Sequence, residues 1–333
     1  MPDCQLNFPL KTDLGKCPRQ PYNYCLMGMN KTSGAKSGLA RELLFSAAAI
    51  ILFLSLAEIV LQLAGLAVTR FSKPGLRPGA KVIVCLGDSH TYGVFVSKEE
   101  AYPVQLEKLL NRNGGNYQVI NLGAPGKNST QVLQELPEII HNYHPDAVVV
   151  LVGVNNGWNI SGQEKNPWQK ILMKSKIHKL LRIFYYRAVS KNNQLVSRHR
   201  DTGEFQINVE RSRPPETEAE IRAVQRVFLE DMAKIINLCR DCDVKIVLMN
   251  YAGDKDTNFW VVNAHILQVA QKMGVPVVDN YSFFMSRLYR PDGGLDEKLH
   301  QELFLEDMHL TPTGYGWVAD NLYQLLTAQL LLK

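Results

Sequence analysis

Six cysteines in 333 residues are too few to frame this fold with disulfides, so an apolar core must hold it together. Cys239-Arg-Asp-Cys242 has the C-x-x-C form, but no second pair accompanies it and it ends a helix-forming stretch, which sets zinc and redox roles aside. Excess charge is also scarce. The net charge of +5, from 37 basic and 32 acidic residues, arises in one segment; a basic stripe alone would permit a nucleic-acid partner, but none is expected of this chain. A phosphate loop is missing: Gly126-Lys-Asn-Ser-Thr130 has its look, but Asn121 stands where the first glycine is required, and Asn128 where serine or threonine is. His141 and His144 close a helix before Pro145, where histidine suits the helix dipole rather than a metal. No cofactor or metal is expected.

One long apolar run is present. Leu43–Thr69 offers 27 almost wholly apolar residues, and about 20 suffice to cross a bilayer as a helix. Glu58 and Gln62 interrupt it at i,i+4 spacing and so share one face. The expected organisation begins with a tail over 1–42, in which Met27 or Met29 would be a more usual start. After it come a transmembrane anchor over 43–69, a linker over 70–80 and a globular domain over 81–333. Lys31, Lys36 and Arg41 on one side balance Arg70, Lys73, Arg77 and Lys81 on the other, so basic residues leave the orientation open.

Beyond the anchor, short β-branched runs alternate with helical patterns. Strands are expected at Lys81–Leu86, Tyr117–Leu122, Asp146–Val152, Val244–Met249 and Val275–Asp279. Helices are expected at Glu216–Cys239, Phe259–Met273 and Pro312–Leu332. Strand and helix alternating five times predict an α/β fold with a parallel sheet covered on both faces.

Gly87-Asp88-Ser89 comes directly after the first strand and lifts Ser89 to the edge of the sheet where ligands bind. A serine there often does no more than cap a helix. Far along the chain, Phe304–Tyr315 places His309 beside Glu306 and Asp307. A serine nucleophile needs a base, and the base needs a group to fix its tautomer; Ser89, His309 and one of the two carboxylates supply these roles. Gly123 and Asn155 also fall at strand C-termini, near Ser89 if the strands are parallel.

Four blocks in order, Gly87-Asp88-Ser89, Asn121-Leu122-Gly123, Gly153-Val154-Asn155 and His309, resemble the SGNH hydrolases, also called the GDSL-like lipase and esterase family. The resemblance spans about residues 81–330 and implies a flavodoxin-like three-layer α/β/α sandwich with a five-stranded parallel sheet. It also implies an oxyanion hole made by the N–H groups of Ser89 and Gly123 and the side chain of Asn155. Two departures stand out. Asn156 replaces the aspartate of the family's Gly-x-Asn-Asp, and the Asp-x-x-His spacing falls on Glu306. Spacing and a helical turn make Glu306 the expected triad acid; side-chain type and an extended backbone would favour its rival Asp307.

Between Lys165 and Arg200 there are ten Lys/Arg and no Asp/Glu, within a basic insertion at about 160–215. It reads either as a solvated surface helix or as an element meeting an anionic surface. The expected function is a membrane-anchored serine esterase, single-pass with its catalytic domain outside the cytoplasm by analogy with anchored family members. Its substrate is an O-acyl ester, O-acetyl first, of a carbohydrate or envelope component, and its partners are that acylated carbohydrate or lipid and the membrane. The alternatives are an acyltransferase to a sugar hydroxyl and a noncatalytic glycan- or partner-binding module on the same scaffold.

Overall fold

The computed structural model describes residues 33–72, 75–157, 172, 175–189, 196–202, 205–207, 215–257 and 259–329. The tail before residue 33 and most of the basic insertion lie outside the described residues. The chain divides into two units, Met1–Ser55 and Leu56–Lys333, with the boundary inside the first helix, α1 (Ser33–Ser72). Within α1, Arg41–Ala67 is long and apolar enough to cross a membrane, and none of that stretch is buried. α1 continues to Ser72, so residues 70–72 are helical rather than linker.

Five strands build the sheet of the second unit: β1 (Lys81–Gly87), β2 (Tyr117–Gly123), β3 (Ala147–Leu151), β6 (Lys245–Met249) and β7 (Val277–Val278). Their order is β2-β1-β3-β6-β7 and every pairing is parallel. These are the five strands expected, the last trimmed to two residues. A separate antiparallel hairpin, β4 (Val196–Arg198) with β5 (Phe205–Ile207), belongs to the basic insertion and carries no periodicity that announces it.

Val82–Gly87, all of β2 and all of β3 are buried, as continuous β-branched runs in a doubly covered sheet require. Each such Val, Ile or Leu contributes about 1.5–3 kcal/mol on leaving water. The helices are α2 (Ser89–Tyr92), α3 (Tyr102–Asn111), α4 (Ser129–Tyr143), α5 (Lys176–Val189), α6 (Glu218–Asp241), α7 (Phe259–Met273), α8 (Asn280–Leu288), α9 (Glu297–Leu303) and α10 (Pro312–Gln329). Helix α3 packs on α10, and α4 packs on α6, which packs on α7. Right-handed crossovers put these two groups on opposite faces of the sheet, because the chain first moves from β1 out to β2 and then back across to β3. The reversal at β1 opens a crevice at the carboxyl ends of the strands. Gly87 pairs with Gly123 on one side and Leu151 on the other, so the turns leaving these three strands meet at one edge.

Candidate active site

Ser89 is the first residue of α2, a single turn separated from β1 only by Asp88. The turn is fixed at both ends. Asp88 accepts the His90 N–H at 3.0 Å, and Gly93, at φ 80°, closes the turn with its N–H on the Ser89 carbonyl. Two glycines are dictated by space. A Cβ on Gly87 would collide with the Leu151 carbonyl and the Thr91 side chain, and one on Gly123 with the Tyr92 backbone.

Beneath the serine, Asp88 is wholly buried and accepts the Tyr251 hydroxyl at 2.5 Å. Burial pushes its carboxyl up to about 7, opposed by the bonds from Tyr251 and His90. The same hydroxyl accepts the Val154 N–H at 3.4 Å, so Tyr251 connects the turn of Ser89 to the 3₁₀ turn Val154–Gly157 that carries Asn155. Tyr251 stands just past the C-terminal end of β6, on the same sheet edge. That position is the one sequence signal that marks it.

His309 arrives from a loop closed by the bridge between Phe304 and Leu310 and by the Leu305 N–H on the His309 carbonyl at 2.8 Å. Its Nε2 lies 2.9 Å from Ser89 Oγ, and its Nδ1 lies 2.9 Å from Asp307 Oδ2. A carboxylate only accepts, so Nδ1 holds the proton and Nε2 is left to take one from the serine. The carboxylate on the imidazole is therefore Asp307, which corrects the expectation of Glu306. The reason is the backbone. This loop is not helical, and Met308 takes φ 65°, so residues 307 and 309 fall on one side. Asp307 Oδ1 also accepts the His309 N–H at 3.2 Å, an Asx-type turn that fixes the pair; both acids are exposed, so it is this turn and not burial that selects Asp307.

Gly123 and Asn155 come off the strands that flank β1. The Gly123 N–H donates to Asn121 Oδ1 at 2.9 Å, so use of this donor on an oxyanion calls for a shared hydrogen bond. Asn155 is 8% exposed and its Nδ2 donates to the Lys127 carbonyl at 3.0 Å, which orients the amide. Asn156 accepts the Ser129 N–H at 3.1 Å and donates to Ser129 Oγ at 2.7 Å. Ser129 Oγ gives its own proton to Asp231 Oδ2 at 2.8 Å, so a carboxylate at 156 would meet that oxygen with no proton to share, which gives the departure at this position a structural reason.

The segment Gly126–Thr130 serves packing. Lys127 is fully buried and its Nζ meets the Leu122 carbonyl (3.0 Å), Glu135 (2.9 Å) and His199 (3.3 Å), while Asn128 caps α4. Cys239 is buried and Cys242 exposed, both as free thiols. His144 ends α4 at φ 43°.

Two further side chains frame His309, and neither has a motif. The His90 ring stacks on it, and the Phe95 ring meets it edge-on at 5.5 Å. Phe95 is 71% exposed with φ 69°, a costly conformation for a bulky residue and of the kind that gathers at functional sites.

Residues 85–317 match the model of the GDSL-like lipase/acylhydrolase family, and the chain belongs to that family, as an ester hydrolase. Among solved structures it is similar to an acetyl xylan esterase, AlAXEase, at 16% identity and a TM-score of 0.45 over 73% of this chain and 98% of that one. It is also similar to the psychrotrophic esterase EstA from Pseudoalteromonas sp., at 12% identity and a TM-score of 0.44 over 75% and 98% of the two chains. The lipase/acylhydrolase from Enterococcus faecalis stands at 16% identity and a TM-score of 0.44 over 76% and 98%. No curated protein matches the chain at a significant level.

Proposed function

We propose that Ser89, His309 and Asp307 are a catalytic triad that hydrolyses O-acyl esters, O-acetyl first, of a carbohydrate or envelope component. The observation that carries this is the unbroken line from Ser89 Oγ through both nitrogens of His309 to Asp307, each step 2.9 Å. Ser89 Oγ attacks the ester carbonyl while its proton passes to His309 Nε2. The tetrahedral oxyanion meets the Ser89 N–H, one of the first N–H groups of α2 that a helix leaves without an acceptor, together with Asn155 and Gly123. The C–O bond to the alcohol breaks, His309 returns the proton to the departing oxygen, and an acyl-serine remains. Water then attacks it, giving a proton to His309; the acyl C–Oγ bond breaks, His309 passes that proton to Ser89 Oγ, and the carboxylic acid leaves.

The preference for a short acyl group rests on family analogy, as does the carbohydrate alcohol. The division into tail, anchor, linker and catalytic domain belongs to the same reading, with the catalytic domain outside the cytoplasm, α1 as a single-pass anchor and the basic insertion meeting the membrane. The stretch Arg41–Ala67, long and apolar enough to cross a membrane, supports the anchor. Aryl esters from acetate to palmitate test the acyl preference, with acetate expected to be fastest; a preference for palmitate would overturn it. Product analysis with an added sugar acceptor tests hydrolysis against transfer, and free acid as the main product is expected.

A further inference from the structure

Glu58 and Gln62, which interrupt the apolar stretch, are both engaged. Gln62 Nε2 donates to Glu58 Oε1 at 2.6 Å, and the Glu58 carboxylate also accepts the backbone N–H groups of Lys176 (2.7 Å) and Ile177 (2.9 Å) and the Ser175 hydroxyl (2.8 Å). These two N–H groups open α5, where a helix has no acceptor of its own and where its dipole favours a negative charge. Glu58 thus caps α5 from outside its own helix. One helical turn beyond Gln62, Gly65 lies beside the end of the Lys176 side chain, whose Cε is 3.1 Å from where a Cβ would stand. Ala57, Glu58, Leu61, Gln62 and Gly65 form a half-buried stripe on α1, while Ile59, Val60, Leu63 and Leu66 stay exposed.

A carboxylate at the bilayer centre is costly, but the count along the sequence does not put it there. From Leu43, the first residue after Arg41-Glu42, the roughly 20 residues that cross the hydrocarbon end near Gln62. Glu58 and the start of α5 then lie about one helical turn inside the boundary between lipid and water. The sequence of α5, KIHKLLRIFYYRAV, has four Lys/Arg and no acid. It exposes Leu180, Leu181, Phe184 and Tyr185, and the i,i+4 pairs Leu180–Phe184 and Leu181–Tyr185 make these one apolar patch. Exposed aromatic and leucine side chains among basic ones are the composition of a helix lying in a membrane interface.

We propose that α5 is an interfacial membrane helix, held to the membrane-proximal part of α1 through Glu58, whose Leu180–Tyr185 patch beds into a lipid surface carrying anionic headgroups. The proposal rests on the reading of α1 as an anchor. The test uses the full-length protein in phosphatidylcholine vesicles with about 30 mol% phosphatidylglycerol. A photoreactive p-benzoylphenylalanine replaces Phe184, Leu52 or Ile221, one position at a time. Crosslinking to lipid is expected at 184 and 52 and not at 221. Labelling at 184 should fall severalfold in phosphatidylcholine alone, and likewise with Glu58→Ala, while labelling at 52 holds. Lipid labelling at 52 with 184 as inert as 221 keeps the anchor and overturns the interfacial helix. Labelling at 184 that ignores Glu58→Ala overturns the tether. Silence at 52 overturns the anchor reading and the proposal with it.

Discussion

The imidazole of His90 lies flat against that of His309, with ring centroids 4.7 Å apart and planes 16° from parallel. Tyr251 and Phe259 meet His90 edge-on at 5.1 and 5.4 Å, so its ring is held on several sides. Burial lowers its pKa to about 3, with His309 adding to the effect, and His90 is therefore neutral at working pH. It packs against the imidazolium formed on His309 in catalysis without repelling it.

His90→Leu is expected to lower kcat by about 10–10², because the base loses the surface that orients it, and to leave KM nearly unchanged. A change in KM alone would show that His90 serves substrate binding instead. Stability gives a second readout. The folded pKa is depressed, so the stabilisation is present above the unfolded value near 6.5 and is lost as pH falls from there toward 3. Over that window the wild-type chain should lose about 1.4 kcal/mol per pH unit from this group, and urea titrations of His90→Leu should show a flatter acid limb.

Ser89→Ala should cut esterase activity by about 10⁶ and abolish labelling by a fluorophosphonate. The fold should survive, since the Asp88, Gly93 and Tyr251 contacts that shape the turn remain. A folded variant that keeps activity within about tenfold ends the serine mechanism.

The two acids before His309 should separate cleanly. Asp307→Asn is expected to cost about 10⁴ in kcat through loss of the partner on Nδ1, and Glu306→Gln to be mild. Steady-state kinetics on both variants decides it: a severe loss confined to Glu306→Gln would restore the assignment that spacing favours.

Asn155→Ala should lower kcat by about 10²–10³ with KM little changed, as for removal of one oxyanion donor. Unaltered kcat would make Asn155 only the residue that ties its turn to the Lys127 carbonyl.

Features that depend on local pattern were legible in the chain before any fold was known. Buried β-branched runs end in glycine because the chain must turn where helix and sheet backbones crowd, so β1, β2 and β3 and the edge they share could be read, as could Ser89. His309 was legible because histidine beside carboxylates in a turn-forming stretch has few structural uses. The choice of acid was not. Residues 306 and 307 differ by one position, and which of them faces His309 depends on the left-handed backbone at Met308 and on the bridge between Phe304 and Leu310, a contact that closes the loop in space. His90, Phe95 and Tyr251 were hidden for the same reason: their roles come from neighbours distant in sequence, as with Tyr251 on Asp88, 163 residues away. Glu58 is the clearest case. The sequence marks it as a costly charge in an apolar helix, and only the tertiary structure supplies the helix end, 117 to 119 residues further on, whose unpaired donors need it.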